Sequence, residues 1–517
     1  MTETTRPVPT HIGADGRVTA KLTLSPASNT VRAEIQAPPD QAIPIVFVPG
    51  IMGSPLLATG DNGRLLGDDN PWAWFPDDGF GWVAGFTRWN SYNRLSPAER
   101  KQLLDPAKTR ALSNPADADQ ETVAKNISAL PLEEALQRGW GSVMISSYGS
   151  VLDFLESRLR SLFTASGEVH PGVLPALPTD PAAWGELKGY QPLTNEQLRA
   201  AAEFRFPVYA VGYNWLQSNG QAADYLAERI RAILERCRKE FHLQCEHGVI
   251  LVTHSMGGLV ARMCAKRYPS LIQGVVHGVQ PAIGAAAAYR RVRAGWEDLA
   301  GMIGLGGTGK KIMPIFANAV GPLELLPNHR YGAGWLRVTF NHQEVFSLPE
   351  AKEGVADPYT QIYLERNAWW RLMDPAWINP APEKDIAGSS QKNERKDWSD
   401  YCKRILKAKR FHISLGGYYH PQSFIHYGGD ENYSSFHRVQ WKLMPTRYSK
   451  GQYRSGALPG IPTKSHALAL SLVHDSFEGA VQVVNESVER GAPEKSSSAP
   501  EISGAGSNYL ALLQGQD

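Results

Sequence analysis

The sequence predicts an α/β fold: a mostly parallel sheet flanked by helices and broken by large cap or lid insertions. Three observations predict it. Ile43 to Val48 is a continuous apolar run, the pattern of a strand buried on both faces. From Phe206 to Val279, short apolar runs alternate with amphipathic helical stretches, as parallel strands with crossover connections require. Within that stretch the apolar run His247 to Thr253 passes through a serine and two glycines directly into a helical segment.

Each element follows in order. Residues 1–40 are polar and lack apolar periodicity, which suits a tail or an edge hairpin. The first strand ends at Pro49-Gly50. Residues 55–130 are rich in Gly, Asp, Asn, Pro and Trp and form a long structured excursion. Gly149 to Phe163 places Val151, Leu152, Leu155, Leu159 and Leu162 near one helical face. The second strand is Phe206 to Val211 and a helix covers Ala222 to Phe241. The third strand is His247 to Thr253, a helix follows from Leu259 to Arg267, and the fourth strand is Ile272 to Val279. Residues 283–415 interrupt this rhythm and are expected to be an insertion over the sheet. The rhythm resumes at Gln422 to Tyr427 and Arg438 to Leu443. The α/β domain therefore spans residues 41–488. Residues 489–517, rich in Ser, Pro and Gly, are expected to be a disordered tail.

Composition narrows the function classes. Of the 517 residues, 42% are hydrophobic and 20% charged, an ordinary globular balance that excludes a disordered chain. A net charge of +2 offers no electrostatic case for nucleic acid. Four cysteines are too few for a disulfide framework, and free thiols are the preferred reading even for Cys237 and Cys245, which could pair across a helix end. The N-terminus has no basic stretch followed by an apolar core, so no cleaved secretory signal is read there. No apolar run reaches the ~18 residues that span a bilayer.

Thr253-His-Ser255-Met-Gly257 carries the chemistry. In the nucleophile elbow of an α/β-hydrolase, a buried strand turns sharply into a helix with the nucleophile at the apex, and small neighbours let the helix start close behind the strand. The positive helix end and the Met256 N–H favour a developing oxyanion. The second donor is expected in the loop Val48-Pro-Gly50-Ile51-Met52-Gly53, at Ile51 rather than Met52. In this fold the acid and then the histidine follow the serine. Asp430, after an apolar strand and two glycines, is the expected acid. His474 is the expected base, in a loop-to-helix turn, with His466 second. The chain is read as binding no cofactor and no metal: Gly304 to Lys311 resembles a phosphate loop but lacks its Ser/Thr and its preceding strand, and the histidines and cysteines have no zinc spacing. The tryptophans Trp72, Trp74, Trp82, Trp89, Trp335, Trp369 and Trp370 are read as packing residues of the insertions, with an acyl groove as the alternative.

These motifs resemble a known group. Pro49-Gly-Ile-Met-Gly53-Ser54, Arg138-Gly-Trp-Gly141, Ser147-Tyr-Gly149, Gly212-Tyr-Asn-Trp215 and the Ser255 elbow resemble lecithin:cholesterol acyltransferase-like lipases and glycosylphosphatidylinositol deacylase-like hydrolases. Asp357-Pro-Tyr359, Tyr427-Gly-Gly-Asp430 and His474-Asp-Ser-Phe477 are most similar to bacterial type VI secretion lipase effectors. The resemblance implies a serine lipase or phospholipase acting on membrane phospholipid. It also implies an antibacterial effector made in the cytoplasm without a signal peptide, delivered to a target cell, and partnered by an immunity protein and a secretion-machine component. Two alternatives compete: an intracellular esterase or acyltransferase, and an inactive hydrolase-fold binding protein. The apolar residues of the stretch 285–330 suggest a lid that opens at a lipid surface, with a fixed extra layer as the plainer reading.

Overall fold

A computed structural model of the chain describes residues 5–8, 10–12, 18–20, 32–35, 39–67, 70–75, 92, 94–160, 162, 192–296, 305–380, 390–428, 437–449, 452–455, 464–469, 471–475, 481–485 and 508–516. Its centre is a five-stranded parallel sheet. The strand order is Val208–Ala210, Ile45–Val48, Val249–His254, Ile272–Gly278 and Ser423–His426. Ile45–Val48 is buried at every position, as an apolar run without alternation demands.

Helices cover both faces. On one side, Asn219–Phe241 buries Ala222, Ala223, Leu226, Ala227, Ile230, Ile233, Leu234 and Cys237, the stripe that a 3.6-residue period produces. It shares a core with Gly257–Arg267, in which Gly257 through Ala265 are all buried. On the other side, Ile145–Leu159 packs Leu152 against Ile45, Phe47, Val208 and Ala210. A buried ion network anchors this second layer. Arg138 meets Glu134 at 2.6 Å and Glu156 at 3.0 Å, and Glu156 accepts the Val208 N–H at 3.1 Å. The Glu156 carboxylate thus ties the helix to the edge strand and satisfies a buried backbone donor.

Residues 55–130 carry a small antiparallel sheet of Trp72–Trp74, Leu56–Ala58 and Thr109–Ala111, with short helices around it. In residues 283–415 the helices Ala286–Ala294 and Gly309–Phe316, the hairpin Leu336–Phe340 with Gln343–Leu348, and the long helix Ser390–Leu415 build a further layer. Ile312, Met313, Ile315, Phe316, Leu323 and Leu326 are buried in the main core. The bulky side chains that a mobile lid would offer to lipid are already packed. Trp72, Trp74, Trp335, Trp369 and Trp370 are buried, while Trp82 and Trp89 lie outside the described residues.

Two expectations need correction. Arg438–Ser449 does not extend the central sheet. It runs parallel to Leu336–Phe340 in a second sheet, whose order is Gln343–Leu348, Leu336–Phe340, Arg438–Ser449, Asn508–Gln516, Val481–Asn485 and Ser471–Asp475, with Gln452–Ser455 added to Arg438–Ser449. The reason lies in its pattern. Val439, Trp441 and Leu443 are buried while Lys442 is half-exposed. Such alternation suits a sheet covered on one face, not a strand sandwiched between helix layers. The second correction concerns 489–517, expected to be disordered. Asn508–Gln516 is a strand there, antiparallel to Arg438–Ser449, and its Tyr509-Leu-Ala-Leu-Leu513 stretch supplies the apolar content a strand needs. Near the N-terminus Thr10–Ile12 pairs antiparallel with Val18–Ala20. Among the described residues no helix is long and apolar enough to cross a membrane.

Candidate active site

Ser255 stands between the strand Val249–His254 and the helix Gly257–Arg267, at the carboxyl edge of the sheet. Its φ is +50°, in the left-handed region that a serine rarely occupies. Its N–H donates to the Gly278 carbonyl at 2.9 Å, so the turn remains tied to the neighbouring strand. Strain held in this way by the surroundings marks functional positions. The close fit explains the glycine at 257. A Cβ there would lie 2.4 Å from the Pro49 carbonyl oxygen and 2.5 Å from that of Val48. Only a residue without a side chain lets the helix start against the first strand.

The loop after that first strand passes beside the serine. A Cβ on Gly50 would stand 3.0 Å from the Ser255 Cβ and 2.9 Å from His254 Nδ1. Several bonds hold the loop. The Gly50 N–H donates to the Tyr148 hydroxyl at 3.3 Å, Tyr213 donates its hydroxyl proton to the Pro49 carbonyl at 3.1 Å, and Trp74 Nε1 donates to the Met52 carbonyl at 2.8 Å. Gly53 N–H closes a turn onto the Gly50 carbonyl at 3.1 Å. Among the described residues, neither the Ile51 nor the Met256 N–H has a hydrogen-bond acceptor.

Three side chains near the serine were not chosen from the sequence. The Tyr148 hydroxyl lies 3.0 Å from His254 Nδ1, linking the Gly50 loop to the residue preceding the nucleophile. Burial raises the Tyr148 pKa, so the phenol stays protonated. Burial, with a smaller contribution from His426, lowers the pKa of His254 and keeps its imidazole neutral. His426 ends the edge strand, and its ring lies over Gly278: a Cβ on that glycine would meet His426 Nε2 at 2.8 Å. The sequence signals for the first two are the Ser147-Tyr-Gly149 motif and the elbow itself. His426 was one of many histidines, and only strand pairing singles it out.

The remaining expected residues stand as follows. Asp430 lies outside the described residues, but the strand preceding it, Ser423–His426, is at the expected place beside Ile272–Gly278. His474 falls on the strand Ser471–Asp475 of the second sheet rather than in a turn leading to a helix. A β-bulge interrupts that pairing between Leu472 and His474. His466 is on the short helix Lys464–Ala469.

A parallel sheet that delivers a serine this way, into a helix and beside a glycine loop, makes the chain an α/β-hydrolase. Residues 190–285 match the family model described as the PGAP1-like alpha/beta domain. A solved structure, described as the crystal structure of the Tle4-Tli4 complex, shares the fold with a TM-score of 0.65 and 30% sequence identity, covering 78% of this chain and 77% of that one. No curated protein matches the sequence. The chain belongs to the Tle4 family, which bears out the resemblance to type VI secretion lipase effectors.

Proposed function

We propose that the chain is a serine lipase or phospholipase that hydrolyses ester bonds of membrane glycerolipids through Ser255, Asp430 and His474. The observation that carries the reading is the strained Ser255 turn with the Gly50 loop against it. His474 takes the serine proton as the hydroxyl oxygen attacks the ester carbonyl, and Asp430 holds the imidazole in the required tautomer. The N–H groups of Ile51 and Met256 receive the oxyanion. His474 then protonates the departing alcohol, and water attacks the acyl-enzyme by the reverse path.

A lipid substrate is supported by the rim of the site. Val279 and Tyr427, just past the carboxyl ends of the two strands beyond the Ser255 strand, are 47% and 68% exposed. Large apolar groups exposed together mark a surface that meets apolar matter. Antibacterial delivery, and a partner that neutralises the enzyme, are supported by kinship to Tle4, which was solved in complex with Tli4.

The test is to incubate the purified protein with phosphatidylglycerol vesicles and identify products by mass, beside Ser255→Ala and a fluorophosphonate label. Fatty acid release and labelling are expected for the native serine, with a loss on the order of 10⁶ in kcat for the variant. A Ser255→Ala protein that keeps more than about a tenth of the activity would falsify the assignment.

A further inference from the structure

The second sheet has one buried and one polar face, and the polar face holds a cavity of about 270 Å³ lined by Arg337, Thr339, His342, Glu344, Gln440 and Lys442. Strand register puts these side chains together. Arg337 pairs with Gln440, and Thr339 pairs with both Lys442 and Glu344. Their apolar neighbours Leu336, Val338, Val439 and Trp441 face the core instead. His342 reaches the cavity from the tight turn of the hairpin, where Asn341 and His342 have φ of +48° and +65°. Two successive positive φ values define the turn that matches strand twist.

We propose that this cavity is a binding site for a phosphate-class anion. The charge balance favours an anion: two cations, Arg337 and Lys442, face one carboxylate. Glu344 engages Arg337 at Nε, at 3.0 Å, and Lys442 adds a second cation to the same wall. Lys442 has no ion pair among the described residues, and the Gln440 side chain lines the same cavity. Guanidinium, ammonium and carboxamide together match the oxygens of phosphate. The site lies on the second sheet, separate from Ser255, and does not depend on the proposed lipase activity.

The ligand chemistry has two sources, free phosphate or the phosphodiester of a lipid headgroup. The experiment uses the full chain with Ser255→Ala, so that no substrate is consumed. Inorganic phosphate is titrated calorimetrically at low ionic strength, and the protein is co-sedimented with phosphatidylcholine vesicles with and without phosphatidylglycerol. Saturable phosphate binding without vesicle capture identifies free phosphate as the ligand. Capture that requires phosphatidylglycerol identifies the headgroup. In either case Lys442→Gln is expected to weaken binding at least about tenfold, the size of one charged hydrogen bond. Glu344→Gln should strengthen it several-fold by removing the repelling carboxylate. Melting temperatures of both variants should match the parent, because both positions line the solvent-facing side of the sheet. Binding of neither probe, or binding indifferent to both substitutions, overturns the site.

Discussion

Ser255 and Gly50 show how backbone geometry prepares a reaction. The serine is held at positive φ by the sheet on one side and the helix on the other, and Gly50 approaches it so closely that no side chain fits. Gly50→Ala should therefore leave the fold intact, displace the loop by a fraction of an ångström to an ångström, and lower kcat by ~10² with little change in KM. Steady-state kinetics on a short soluble ester check this, and unaltered kcat would mean the loop takes no part in the transition state. The base and acid are tested as a series. His474→Ala should be as damaging as the serine change, His466→Ala and His426→Ala much less so, and Asp430→Asn should lower turnover by about 10⁴ through the wrong tautomer. Should His426→Ala be the inactive one, the imidazole over Gly278 is the base and His474 is not.

Among the elements, the long helix Asn219–Phe241 owes its position to a carboxyl group from the insertion. Glu324 accepts hydrogen bonds from the Ser218 hydroxyl at 2.8 Å and the Asn219 N–H at 2.7 Å, at the helix N-terminus. Its own carbonyl lies 2.7 Å from His412 Nε2 on the helix Ser390–Leu415, and Asn328 meets His412 Nδ1 at 3.1 Å. One buried cluster thus joins insertion and core. Burial pushes the Glu324 carboxyl up to about 8, against the hydrogen bonds that favour its anion, and burial pushes His412 down to about 4. A carboxyl whose folded pKa exceeds its unfolded value of about 4.5 stabilises the fold most below that value, and the contribution is lost as pH rises through about 8. His412 acts in the opposite sense up to about pH 6.5, so the native protein should lose stability between pH 6.5 and 8, by an amount on the order of a couple of kcal/mol. Glu324→Gln, which keeps an acceptor without the ionisation, should flatten that slope. Denaturant melts across this pH range decide the matter, and parallel curves for the two proteins would remove Glu324 from the account.

At the scale of the whole molecule, two sheets share one continuous core. The second depends on the end of the chain, since Asn508–Gln516 lies between Arg438–Ser449 and Val481–Asn485. Hydrogen exchange on the full-length protein should find residues 508–516 protected, and deletion of 506–517 should speed exchange at 438–446, their pairing partners. A tail without structure would exchange at the unfolded rate, and its deletion would alter nothing. The insertion at 283–415 belongs to the same core, with Ile312, Met313, Ile315, Phe316, Leu323 and Leu326 already buried, which favours the fixed layer over a hinged lid.

The central sheet was legible because its strands are apolar throughout and its helices amphipathic, signals that short windows of sequence carry. The Ser255 elbow was legible for the same reason: strand, serine, glycines and helix are contiguous. The second sheet is harder to read: chain order places Arg438–Ser449 in the central sheet, whereas its alternation of Val439, Trp441 and Leu443 with Gln440 and Lys442 suits a one-sided sheet. Other features had no local signal at all. Tyr148 and His254 are brought to 3.0 Å across a separation of 106 residues, and the His426 ring is set over Gly278 by strand pairing. Local sequence determined which segments become strand or helix, through periodicity and backbone preference. Long-range pairing decided which sheet each strand joins and which polar groups meet, because those contacts depend on burying distant surfaces together.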